Sequence, residues 1–195
     1  MNDVVPAKEK TNVPAAKENE IIVDGRQRTS LIGLYLLQQR EGCELTAYRC
    51  QAGILTIGYG HTSNVHEGDH ITQEQAEQLL RSDVCQAENC LNRMKIKYGI
   101  RFNIHEFDAL VSFIFNIGVA AFEKSTMYKK LAAGEPKGVI AGEFAKWVMV
   151  TVVVNGIKTK KQSAGLTNRR RSEISQYLDM DDLYKNATTI HSIDY

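Results

Sequence analysis

The residues best suited to chemistry fall in one stretch, EGCELTAYRCQAGILTIGYGHT, residues 41–62. Glu41 closes an apolar run, Cys50 follows nine positions later and Thr56 six after that. Glycoside hydrolysis uses a set of this kind. A carboxylic acid protonates the departing oxygen, and a second group on the opposite face steadies the oxocarbenium-like centre or activates water. A carboxylate in the last turn of a helix is repelled by the negative end of the dipole, and burial in an apolar cleft disfavours its charge further. Both effects keep a carboxyl protonated near neutral pH, as a general acid requires. Thr56 offers a hydroxyl that can orient water. The plain alternatives are a surface Glu41 at a fraying helix end and a routine strand threonine. Cys50 has three readings: a reactive group working with Glu41, half of a disulfide, or a small buried hydrophobe.

The neighbouring cysteines and His61 narrow these readings. His61 as a base for Cys50 would make a thiol hydrolase such as a peptidase, but it lies on the same hairpin with no local Asn to orient it. If residues 43–50 are extended, Cys43 and Cys50 are roughly 23 Å apart at ~3.3 Å per residue, whereas a disulfide needs under ~7 Å. A bond between them would distort the hairpin and consume the sulfur, marking an inactive, redox-switched species. Cys85 and Cys90 lie about 7.5 Å apart along a helix axis and about 140° around it, so they cannot pair without breaking that helix. All four are expected as free thiols.

Other polar residues receive a structural and a functional reading side by side. Asn116 interrupts an apolar helix, where it must find a partner or face a cleft. Trp147, the only tryptophan, is expected in the core rather than as a platform for sugars. Residues 158–171 carry six cations (158, 160, 161, 169, 170, 171) and no acid. They read as a solvated face, a nucleic-acid patch or a surface drawn to an anionic envelope. With a net charge of +1, no nucleic-acid partner is expected. His66, His70 and the nearby acids lack ligand spacing, and Gly58-Tyr59-Gly60 is no phosphate loop, so neither metal nor cofactor is expected.

These groups must be positioned by a folded unit. The chain has 195 residues, 43% of them hydrophobic, enough for a sizeable core. No apolar run approaches the ~20 residues of a membrane span. The first 26 residues lack the apolar heart of a secretory signal, which implies synthesis in a reducing cytosol. Residues 1–27 read as a flexible arm, although Ile21, Ile22 and Val23 offer a patch that could dock. Residues 28–180 read as one folded domain, and 181–195 as a second tail. Thr29 or Ser30 caps a helix in which Leu31, Leu34, Tyr35 and Leu37 fall at 3.6-residue spacing toward Glu41, with Gly42 as its stop. The QAG at 51–53 turns a small hairpin. Residues 71–94, capped by Thr72, form a helix long enough to link two lobes. Residues 105–118 form a helix too apolar for the surface, and 167–178 a last amphipathic helix. The class is α+β, mostly helical, with a small sheet near the N-terminus.

With these elements in order, Glu41-x8-Cys50-x5-Thr56 followed by GYGHT resembles the phage-type lysozymes, or endolysins, of glycoside hydrolase family 24. ITQEQAEQLLRSDV (71–84) looks like that family's interlobe helix, FDALVSFIFNIG (107–118) like its central helix, and 147–173 like its closing segment. The resemblance covers roughly residues 30–180. It implies a lysozyme-like fold, with a small N-terminal hairpin lobe and a larger helical lobe joined by a long helix. The implied activity is cleavage of the β-1,4 bond between N-acetylmuramic acid and N-acetylglucosamine in peptidoglycan. It further implies Glu41 as general acid, Cys50 where Asp is commoner, and Thr56 as the residue that positions water. Asn116 would lie near the sugar groove, and His61 would pair with Asp83. The exchange of Asp for Cys has a cost, because ionising an ordinary thiol at pH 7 takes about 2 kcal/mol. The expected partner is the glycan strand, met by a monomer in the periplasm after release or delivery, without stable membrane insertion. An immunity protein would be expected only for a toxin delivered into rival cells. A catalytically silent wall-binding protein on the same scaffold is the alternative of a different class.

Overall fold

The computed structural model describes residues 21–50, 52–154 and 157–180. Most of the expected arm, Gln51 of the expected turn, Asn155 and Gly156, and the whole 181–195 tail lie outside the described residues. The first helix, α1 (Leu31–Glu41), shows how closely the sequence dictates position. Ser30 is its N-cap, its hydroxyl accepting from the Gly33 N–H at 2.9 Å, and Ser30 itself donates to the buried Asp108. Asp108 passes so near Gly33 that an added Cβ would lie 2.8 Å from the Asp108 Cβ and closer still to its carboxyl. Glycine is therefore required there by contact, although the sequence shows it only as a gap in an apolar run. Leu34 and Leu37 are buried, whereas Leu31 and Tyr35 are 61% and 51% exposed. The inward stripe is thus Gly33, Leu34 and Leu37, narrower than the spacing suggests. Gly42 ends the helix at φ 71° and turns the chain into a strand.

That strand, β3 (Glu44–Arg49), pairs antiparallel with β4 (Leu55–Gly58), Tyr48 lying opposite Thr56 and Arg49 opposite Leu55. The long helix α2 (Gln73–Tyr98) opens with a capping box in which Thr72 and Gln75 satisfy each other's backbone N–H. It runs past the expected end at residue 94 to Gly99, whose φ of 67° supplies the left-handed stop. Ala76, Leu80, Val84, Ala87, Leu91 and Met94 are buried along it. It packs on β4 and on the central helix α3 (Ile104–Ile117). In α3 eight consecutive residues, Phe107 to Ile114, are buried, so it is enclosed on all sides. Each large apolar side chain so covered contributes about 1.5–3 kcal/mol. Three short helices, α4 (Val119–Glu123), α5 (Thr126–Ala132) and α6 (Lys137–Phe144), lead to a hairpin of β5 (Met149–Val154) and β6 (Ile157–Gln162). The chain then closes α7 (Ala164–Tyr177) against α3.

Two more short strands stand at the start: β1 (Ile22–Val23) pairs antiparallel with β2 (Arg26–Gln27). This hairpin falls inside the segment read from sequence as arm. The reason is Gln27, 1% exposed, whose backbone N–H donates to Asn92 at 2.9 Å and whose amide donates to the Phe102 carbonyl at 3.0 Å. Just beyond it, the buried Glu88 accepts from Thr29 N–H and hydroxyl at 2.9 and 2.8 Å and from Arg28 at 2.9 Å. A buried carboxylate on α2 thus fixes where α1 begins.

Candidate active site

Glu41 stands at the end of α1 with its side chain 19% exposed, and Arg169 of α7 reaches it at 2.6 Å from a position 9% exposed. The sequence places no opposite charge there, and the ion pair is a partner that the position of Glu41 at a helix end does not reveal. Arg169 also donates to Glu173 at 3.0 Å and to the Ser112 carbonyl at 3.1 Å. Arg170, 1% exposed, lies 2.9 Å from Glu173, donates to the Asn116 side-chain oxygen at 2.8 Å, and stacks 4.8 Å from the Phe113 ring centre. Burial pushes the Arg170 guanidinium below its ordinary value, with Glu173 opposing that shift. The basic run therefore divides. Lys158, Lys160 and Lys161 are exposed on β6, while Arg169 and Arg170 are internal and carry Glu41 and Asn116. The signal was present in Arg169 and Arg170 at four and three residues before Glu173, one face of a helix.

On the hairpin, Cys50 follows β3, its N–H donating to the Ile54 carbonyl at 3.0 Å while its own carbonyl accepts from Gly53 at 2.8 Å. The backbone N–H groups of Ala52 and Ile54, then the Thr56 hydroxyl, draw the Cys50 thiol below its ordinary value. The sequence foresaw only the cost of ionising this sulfur; the turn offsets part of it. Thr56 is 4% exposed, and its hydroxyl donates to the Ile54 carbonyl at 3.0 Å. Arg49 turns away to Glu67 and to the Gly53 carbonyl at 3.1 Å. Cys43, in contrast, is raised by burial, and β3 lies extended between it and Cys50. All four cysteines are free thiols.

The structure thus places the Cys50 N–H and the Thr56 hydroxyl on the same Ile54 carbonyl and brings Arg169 to Glu41. Among the described residues no hydrogen bond or ion pair joins Glu41 to Cys50 or Thr56. His61 has its Nδ1 2.9 Å from Asp83 of α2 and its Nε2 2.9 Å from the Ser63 carbonyl, so both ring nitrogens are engaged away from Cys50. Asn116 is exposed near the end of α3. It lines a cavity of about 950 Å³ with Lys124, Ser125, Thr126, Lys146 and Trp147. Trp147 serves both that wall and the core, its ring standing edge-on to Phe113 at 5.7 Å. Buried Glu143, also in the wall, is held below the usual carboxylate range by Lys130 at 2.6 Å and then Lys146 at 2.8 Å. Among the described residues no group of three or more His, Cys, Asp or Glu is placed to hold a metal ion. No helix there is long and apolar enough to cross a membrane.

The profile of the phage lysozyme family matches residues 38–173. An endolysin of Acyrthosiphon pisum secondary endosymbiont phage 1 is 47% identical over 141 residues, 72% of this chain and 91% of that protein. A SAR-endolysin of Pseudomonas phage phiKMV is 37% identical over 159 residues, 80% of this chain and 91% of the relative. Among solved structures, an endolysin from Escherichia coli O157:H7 phage FAHEc1 superposes with a TM-score of 0.68 and 40% identity, covering 79% of this chain and 95% of that one.

Proposed function

The chain belongs to the phage lysozyme family, and from that premise we propose how its side chains divide the work of a muramidase acting on peptidoglycan. The bond cut is the β-1,4 link from N-acetylmuramic acid to N-acetylglucosamine. Glu41 gives its proton to the bridging oxygen as the C–O bond breaks and positive charge builds on the muramic ring. Arg169 positions the Glu41 carboxyl through the 2.6 Å contact. From the opposite face, a water held at Thr56 loses a proton to the Cys50 sulfur as its oxygen bonds to the anomeric carbon. The product is inverted, and Cys50 returns its proton to solvent as Glu41 is reprotonated. Asn116, its side chain fixed by Arg170, binds sugar. His61 and Asp83 tie the hairpin to α2.

The observation that carries this division is the turn that follows β3, in which the Cys50 N–H and the Thr56 hydroxyl share the Ile54 carbonyl, while the backbone N–H groups of Ala52 and Ile54 lower the thiol. They stabilise a thiolate where a carboxylate would need no such help. A thiol-peptidase reading is disfavoured because both His61 nitrogens face Asp83 and Ser63. The protein acts on the cell wall as a monomer, reaching the periplasm by release or delivery from the cytoplasm that makes it. An inhibitory immunity protein accompanies it only if it is delivered into rival cells.

The test is the identity of the new ends. Purified peptidoglycan is digested and reduced with borohydride, and the fragments are weighed. N-acetylmuramitol at the new ends, with the α-anomer formed first by NMR, is the expected result. N-acetylglucosaminitol or free peptides would overturn the muramidase, and an initial β-anomer would overturn the inverting role of Cys50.

A further inference from the structure

The outer end of the β5–β6 hairpin stands apart from the rest of the fold, while Met149, Val150, Thr151 and Lys160 nearer its root line the cavity shared by Asn116 and Trp147. Neither strand packs extensively on any element but the other, and none of its residues joins the hydrophobic core. It is fastened at its root, where Ser163 N–H donates to the Val148 carbonyl at 2.8 Å and the Gln162 amide to Thr167 at 3.2 Å. Yet it is apolar. Val153 and Ile157 are 64% and 66% exposed, and Met149 is 49% exposed. Val150 and Val152 are half-buried, but Val153 and Ile157, on opposite faces of the hairpin's outer end, have no such folding reason to be there.

The charge on the same hairpin is all of one sign. Residues 149–162 include Lys158, Lys160 and Lys161 and no acid, and every residue of β6 is exposed. Register sets Lys158 opposite Val153, Lys160 opposite Thr151 and Lys161 opposite Val150, so cations flank the apolar residues. The whole chain carries a net charge of only +1, which makes this a local feature rather than a consequence of composition. Apolar side chains beside lysines suit a bilayer surface, where the former enter the headgroup–acyl boundary and the latter meet lipid phosphates. A hydrophilic glycan would reward the lysines but not Val153 and Ile157. A second copy of the hairpin would set lysine against lysine.

We propose that the β5–β6 hairpin docks the protein on an anionic phospholipid bilayer, reversibly and without insertion of a helix. This holds the enzyme at the membrane flank of the wall it cuts. It rests on the hairpin alone and is independent of the roles given to Glu41 and Cys50.

The test uses the full chain with vesicles of phosphatidylglycerol and phosphatidylethanolamine, and with phosphatidylcholine vesicles for comparison. The protein is expected to sediment with the anionic vesicles, to remain free with the neutral ones, and to be released at ~1 M salt, where screening acts within ~3 Å. K158E together with K161E is expected to weaken binding by about tenfold or more. V153S together with I157S weakens it as well, and both pairs retain the melting temperature and the wild-type rate on purified wall fragments. Failure of the unaltered protein to sediment with anionic vesicles overturns the proposal without the need for variants. So does binding that survives both pairs, or capture by wall sacculi with none by vesicles, which would make the hairpin a reader of the wall polymer.

Discussion

The carboxylate of Glu41, at the end of the first long helix, lies 2.6 Å from the guanidinium of Arg169 in the last. The two ends of the folded chain therefore meet at the residue assigned to proton donation, and Arg169 is itself held by Glu173 at 3.0 Å.

Arg169→Ala is expected to lower muramidase kcat by roughly 10–100-fold, because a misplaced acid loses its alignment with the leaving oxygen. Arg169→Lys recovers only part of the loss, since an ammonium cannot span Glu41, Glu173 and the Ser112 carbonyl as a planar fork does. Kinetics on soluble wall fragments check this. An Arg169→Ala enzyme with unchanged kcat and raised KM would assign Arg169 to substrate binding instead.

Cys50 is expected to be alkylated before Cys43 and Cys90. The thiolate is the species that reacts, and backbone donors lower Cys50. Burial raises Cys43 and pushes Cys90, 1% exposed, up to about 11. Brief iodoacetamide treatment at neutral pH followed by peptide mass mapping reads the order, and activity should fall in step with labelling at Cys50. Equal labelling of Cys43 and Cys50 would remove the physical basis for a working sulfur.

Glu143 provides a pH-dependent share of stability. Lys130 and Lys146 hold its folded value below that of the unfolded chain, so its contribution is full above the ordinary carboxylate range and is lost as pH falls through the folded value. Glu143→Gln should cost about 1–2 kcal/mol at pH 7, or a few degrees in melting temperature for a chain of this size. The gap between variant and wild type should narrow in acid. Thermal melts between about pH 7 and pH 3 test it; a gap that widened in acid would have the wrong sign.

Local signals were legible where one residue type has one job. The Thr72 cap, the Gly42 stop and the buried run of α3 follow from capping and periodicity, and the lysozyme-like fold followed from motifs in order. What escaped was set by distant partners. Asp108 chooses the inward face of α1 at Gly33, and Gln27 folds the end of the arm; Glu173, only three and four residues beyond the two arginines it holds, was a local signal passed over. The β5–β6 hairpin escaped for another reason: its valine run has no alternation with polar residues, so neither period marks it. The Glu41–Arg169 pair belongs to the first kind, because no spacing within either helix records the other.

The central claim is that Glu41 supplies the proton, and lysis by Glu41→Gln tests it most directly. The amide keeps the size and loses the acid. Turbidity clearing of permeabilised Gram-negative cells, with release of reducing ends measured alongside, is expected to fall by about 1000-fold or more, while the melting temperature stays within a few degrees. Clearing that persists at near wild-type rate in Glu41→Gln would contradict the account.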